Sequence, residues 1–259
     1  MLYEEQILPC SGQEKLGSLL FIHGLGGSYR DNSSAGALSK YFDYYAINLP
    51  GHGEADIPRF DASLEEYAYY TAEYIKERNL QNLILMGHSL GGGVVCIAEN
   101  LVRNHLAGLI LVNPIARSIC GVPGLKKILF PTVLEEVFEL CRFAYYDFDR
   151  MKRAEGFRQA CEASLAVQLR KEPYLLGLYD AASSEETIAL VEAAQRRLET
   201  KTLYMFGRHD RMVPMSENVQ PPNPRIEFCV FEYSGHCPHN EEPQRFVEQI
   251  RGFAETSRK

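Results

Sequence analysis

Three stretches of this chain carry side chains able to attack and cleave a carbonyl compound. The first is Gly87-His88-Ser89-Leu90-Gly91, which fits the pattern G-x-S-x-G. A serine hydroxyl is a weak nucleophile at neutral pH. It needs a base within reach, and that base needs a group to hold its tautomer. The chain has seven histidines to supply the base. His88 abuts Ser89, but adjacent side chains diverge on a tight turn. His105 closes a helical pattern, and His23 and His52 lie in early glycine-rich loops. His236, in Tyr233-Ser234-Gly235-His236, follows the last apolar run, and His239 three residues on is its rival. The acid has one source in the stretch 206–214: Asp210 is its only carboxylate. Ser89 as nucleophile, Asp210 as acid and His236 as base therefore follow one another along the chain.

Attack on a carbonyl also builds negative charge on its oxygen, which requires preorganised N–H donors. The N–H of Leu90, the residue after the nucleophile, is the first expected donor. The second is the N–H of Leu25, in His23-Gly24-Leu25-Gly26-Gly27, where the glycines let the backbone bend inward.

The elements around these residues must place them at one edge. Short, nearly continuous apolar runs occupy 17–22, 44–49, 82–86, 106–112, 201–206 and 225–231. Runs of that kind suit strands buried on both faces. Helical patterns lie between them, over 63–79, 91–104, 185–198 and 242–254. Ser63-Leu64-Glu65-Glu66 opens the first as a capping box. Alternating strand and helix predicts a mostly parallel sheet of about seven strands with helices on both faces. Residues 3–8 add an antiparallel edge. Ser89 then sits on a strand-to-helix turn, where glycines at 87 and 91 remove the Cβ atoms that neighbouring backbone would strike. Residues 115–184 break the rhythm with helical patterning, no clear strand and many aromatics. We read 1–114 and 185–259 as an α/β core and 115–184 as a helical insertion over the carboxyl ends of the strands, where open sheets bind ligands.

Bulk properties narrow the partners. Of the 259 residues, 46% are hydrophobic and 24% charged, which suits one soluble globular unit, and the net charge of -7 disfavours nucleic acid. No apolar run approaches the length of a membrane span, and the N-terminal MLYEEQILPC has acids where a signal peptide needs basic residues. Seven cysteines without a C-x-x-C pair disfavour a disulfide framework and suit a cytoplasmic location. The histidines show no metal-ligand spacing, and no nucleotide-binding glycine pattern occurs, so neither metal nor cofactor is expected. The expected partner is a small-molecule ester, without stable membrane association; a homo-oligomer is compatible with this composition.

Taken together, HGLGG at 23–27, NLPGHG at 48–53, GHSLGG at 87–92, GRHDRMVP at 207–214 and SGHCPHNEEP at 234–243 resemble the α/β-hydrolase superfamily. The resemblance implies an α/β-hydrolase fold, the triad Ser89–Asp210–His236, the Leu25 and Leu90 N–H groups as oxyanion hole, and residues 115–184 as cap. It implies hydrolysis of carboxylic esters through an acyl-enzyme, as in carboxylesterases and monoacylglycerol lipases. Thioester, C–C bond or peroxyacid chemistry on the same triad is the alternative, as is a ligand-binding protein with vestigial activity. Two departures stand out. There is room for only about one strand before the HG strand, and Asn48 stands where many relatives carry Asp.

Overall fold

The computed structural model describes residues 3–59, 62–215 and 221–257. The outermost residues of the core segments read from the sequence, 1–2 and 258–259, lie outside this set. Seven strands form one sheet: β1 (Glu5–Leu8), β2 (Gly17–Ile22), β3 (Phe42–Ile47), β4 (Leu83–His88), β5 (Leu106–Val112), β6 (Thr202–Gly207) and β7 (Ile226–Phe231). Their spatial order is β1-β3-β2-β4-β5-β6-β7, and only β1 runs antiparallel, on the edge against β3. Among the described residues one strand, β1, precedes β2, the strand that runs into His23-Gly24. The third strand ends at Ile47 rather than 49; the Asn48 amide still bonds toward β1, and the Leu49 amide turns away from the ladder. Asn48 N–H donates to the Glu4 carbonyl at 2.8 Å, and Leu49 N–H donates to His23 Nε2 at 3.0 Å.

Strand side chains alternate between two cores, as the two-residue repeat of a strand demands. Leu20, Ile22, Leu85, Leu109 and Leu111 face one core. Their chain neighbours Leu19, Phe21, Ile84, Met86, Ile110 and Val112 face the other. This double burial explains the unbroken apolar runs. The first core is closed by α2 (Leu64–Glu77), α3 (Leu90–Val102) and α8 (Glu185–Arg197), and the second by α1 (Ala35–Leu38) and α10 (Pro243–Ser257). Ser63 caps α2 by accepting the Glu66 N–H at 3.2 Å. Among the described residues, 115–184 hold no strand; they carry α4 (Leu125–Leu129), α5 (Leu134–Ala144), α6 (Phe148–Lys152) and α7 (Phe157–Ala182). The short helix α9 (Pro238–Glu241) follows the last strand.

The chain order matters for the site. From β2 the chain steps to β3 on one side, then crosses to β4 on the other. Loops leaving neighbouring strands at such a reversal diverge and open a crevice at their carboxyl ends. The loops after β2 and β4 are 23–27 and the Ser89 turn.

Candidate active site

Ser89 stands between β4 and α3 with φ 54 and ψ −120. A non-glycine residue at positive φ is strained by about 1–3 kcal/mol and persists only where its surroundings hold it. Here its backbone is fixed on both sides. Ser89 N–H donates to the Val112 carbonyl at 2.9 Å, and its own carbonyl accepts from Gly92 and Ile115, each at 2.9 Å. The flanking glycines are required by close approach. A Cβ on Gly87 would lie 2.2 Å from the Gly91 carbonyl oxygen, and one on Gly91 would lie 2.4 Å from the carbonyl oxygens of Ile22 and His23. The turn therefore needs glycine at both places to press α3 against the end of β2.

The structure brings Asp210 and His236 together. Asp210 Oδ2 lies 2.7 Å from His236 Nδ1, and both residues are about 5% exposed. Asp210 Oδ1 accepts the N–H groups of Met212 at 2.8 Å and Val213 at 3.0 Å, so the loop after β6 orients the carboxylate. With Nδ1 facing a carboxylate, the other ring nitrogen, Nε2, is left for a substrate-side proton. Ser89 and His236 line one cavity of about 270 Å³ together with Leu25 and Leu90. Among the described residues, neither the Leu25 nor the Leu90 N–H meets a protein acceptor, so both donors stay available at the cavity. The helical segment supplies apolar wall, including Leu129, Phe130, Leu175 and Tyr179.

The competing histidines have other partners. His88 Nε2 donates to the carbonyl of His236 at 2.9 Å and helps seat that loop. His239 is 1% exposed and packs between the rings of His88, Phe21 and Phe246. His23 is fully buried; Nδ1 donates to the Gly24 carbonyl at 2.7 Å while Nε2 accepts from Leu49. Burial lowers its pKa to about 4 and keeps it neutral. His52 lies against His23, with ring centroids 4.9 Å apart, and burial holds it well below the usual histidine range. Asn48 joins segments: its Oδ1 accepts from Tyr29 N–H at 2.7 Å and its Nδ2 donates to Glu4. That accords with a structural part for this position.

Two residues of the site were not singled out by sequence. Asn113, at φ 40 just after β5, clamps the loops that carry Asp210 and His236. Its Oδ1 accepts from Gly207 N–H at 3.0 Å, and its Nδ2 donates to the carbonyls of Gly235 at 3.1 Å and His236 at 2.8 Å. Its place at a strand's carboxyl end, before Pro114, is the one local signal. Glu241 is 2% exposed and accepts from Gly235 N–H at 2.8 Å and Tyr146 N–H at 2.7 Å. It links the histidine loop to the segment after α5. Burial outweighs these hydrogen bonds and raises its pKa to about 7. The Cys237 thiol is pushed well above its ordinary range by burial and by Glu241, Asp210 and Asp31, so it is protonated and a poor nucleophile. A further grouping is invisible in the spacing: one donor atom each of His88, Cys237 and His239 lie within 4.8 Å of one another.

A model of the alpha/beta hydrolase family matches residues 19–249. The chain belongs to that family. Among curated relatives, "Putative esterase/lipase 1" of Mycoplasma pneumoniae is 25% identical over 92% of this chain and 90% of its own length. "Putative esterase/lipase 2" of Mycoplasma genitalium is 26% identical over 93% of this chain and 90% of its own. Among solved structures, a meta-cleavage product hydrolase from Pseudomonas fluorescens aligns with a TM-score of 0.81 at 19% identity, over 99% of this chain and 95% of that one. At that identity the likeness concerns the fold. No helix among the described residues is long and apolar enough to cross a membrane.

Proposed function

We propose that this alpha/beta hydrolase is a serine hydrolase that cleaves carboxylic esters through an acyl-enzyme. The observation that carries the reading is the 2.7 Å contact between Asp210 Oδ2 and His236 Nδ1, at the cavity where strained Ser89 also opens. In this reading His236 takes the Ser89 proton as the hydroxyl attacks the ester carbonyl. Asp210 holds the imidazole tautomer and stabilises the imidazolium that forms. The N–H groups of Leu25 and Leu90 receive the oxyanion, aided by the positive end of the α3 dipole. His236 then returns the proton to the departing alcohol. Water, activated by the same imidazole, releases the acid and frees Ser89.

Residues 115–184 act as the cap over this centre, and the remainder as the catalytic core. The apolar wall contributed by Leu129, Phe130, Leu175 and Tyr179 fits an acyl chain or aryl group of small to medium size. The names of the curated relatives agree with ester substrates.

The test is hydrolysis of p-nitrophenyl esters across an acyl-length series, with an acyl-CoA alongside. Ser89→Ala should lose about 10³-fold or more of kcat. Wild-type activity in that variant would remove Ser89 from the mechanism. Turnover of the thioester with no turnover of any oxygen ester would move the reading to thioester chemistry.

A further inference from the structure

A cluster beside the triad is not used by the mechanism above. His88, Cys237 and His239 come from two distant parts of the chain, the Ser89 turn and the histidine loop. Their donor atoms lie within 4.8 Å of one another. The ring centroids of His88 and His239 are 4.7 Å apart. We propose that these three side chains form a binding site for one thiophilic divalent cation, with Zn²⁺ the best fit.

The chemistry of the donors argues for this ion. Two imidazoles and a sulfur are the borderline-soft set that zinc takes, in preference to the oxygen set of calcium or magnesium. An imidazole binds a metal through a ring lone pair, and both rings lie buried side by side, His88 7% and His239 1% exposed. His88 donates its Nε2 proton to the His236 carbonyl, which leaves Nδ1 as its lone-pair nitrogen. Such a bond to a backbone carbonyl is the usual outer partner of a metal-bound histidine.

His239 supplies the independent observation. The residue is 1% exposed, yet neither of its ring nitrogens has a hydrogen-bond partner. A buried imidazole with both nitrogens idle lacks the compensation that buried polar groups ordinarily have. Coordination to a cation would satisfy one of them.

Charge favours the same occupant. Carboxylates stand around the Cys237 loop: Asp210 contacts the ring of His236 at 2.7 Å, and Glu241 accepts from Gly235 N–H at 2.8 Å. Binding replaces the S–H bond with a metal–sulfur bond and releases that proton to solvent. The resulting thiolate and divalent cation together carry one positive charge among those carboxylates. Entry is open, since His88 and Cys237 line the substrate cavity.

The test uses the full chain stripped of metal and titrated with Co²⁺, whose thiolate bond gives a charge-transfer absorption band. One equivalent should develop the band, and Zn²⁺ should abolish it by displacement. Cys237→Ser should remove the band and weaken Zn²⁺ binding by more than about 100-fold, beyond what loss of an outer partner causes. Cys237→Ala and His239→Gln, checked for folding by circular dichroism, should do the same, whereas Cys10→Ser and Cys120→Ser should keep the band. Absence of a band in the wild type, or its survival in Cys237→Ser, would overturn the site. On the serine-hydrolase reading, Zn²⁺ should also inhibit ester hydrolysis reversibly, because the site shares its loop with His236. The spectroscopic result stands whether or not esters are turned over.

Discussion

Acid should destabilise this fold through His23, and the size of the effect follows from its surroundings. The ring is fully buried and already uses both nitrogens, one toward the Gly24 carbonyl and one toward the Leu49 N–H. Protonation would put a charge in a dry site and abolish the bond from Leu49. Its pKa is therefore depressed from 6.5 to about 4. A depressed base binds more protons unfolded than folded, so its contribution is complete above pH 6.5 and is lost as pH falls toward 4. Between pH 8 and pH 5 the unfolded chain gains about thirty-fold over the folded one from this residue, or about 2 kcal/mol. The perturbation is His23→Gln, whose amide can donate to one neighbour and accept from the other but does not titrate. Urea unfolding followed by circular dichroism at both pH values, at constant ionic strength, gives the two stability differences. His52, His88 and His239 are also held neutral by burial and add acid sensitivity to both proteins. The wild type should lose about 2 kcal/mol more than the variant across this interval. Equal losses in the two would refute the assignment of that linkage to His23.

Asp210→Asn should leave KM nearly unchanged and lower kcat by about 10⁴-fold in an ester assay, because the imidazole tautomer is no longer enforced. Asn113→Ala removes three buried hydrogen bonds and places alanine at φ 40; urea unfolding should report a loss of about 3 kcal/mol. Gly91→Ala drives a methyl group to 2.4 Å from two backbone carbonyl oxygens, so a thermal melt should show a loss of about 1–3 kcal/mol together with reduced kcat. Tyr174→Phe takes away one end of the 2.7 Å bond to the Tyr67 hydroxyl, which keeps its bond to the Pro50 carbonyl. The loss there should be about 1 kcal/mol or less.

Much of this site could be read along the chain because local chemistry and fold point the same way. The apolar runs are strands buried on both faces, so their ends mark the edge where Ser89, Asp210 and His236 emerge. Gly87 and Gly91 report the close packing of the turn by their residue type alone. Pairing among distant residues was less visible. Asn113 is one asparagine after a strand, and only the fold brings the loops of Gly207 and His236 to its amide. Glu241 reads as an ordinary acid before a helix, yet its carboxylate is enclosed between two backbone amides. The His88, Cys237 and His239 grouping has no spacing signature, since 148 residues separate His88 from His236 at the head of its loop.

The helical segment is fastened to the histidine loop through backbone. His236 N–H donates to the Ala144 carbonyl at 2.7 Å, and Glu241 holds the Tyr146 N–H. On the opposite flank, Lys171 donates to the carbonyls of Gly53 and Ala55. The consequence is one of modularity. A helical segment between β5 and β6 is a natural unit to exchange when chimeras are built for new substrates. In this chain a graft bounded at 115 and 184 would sever the bond between Ala144 and the His236 backbone, whatever pocket it brought. A functional exchange must carry residues 234–242 with it, so selectivity and catalytic competence are inherited here as a single block.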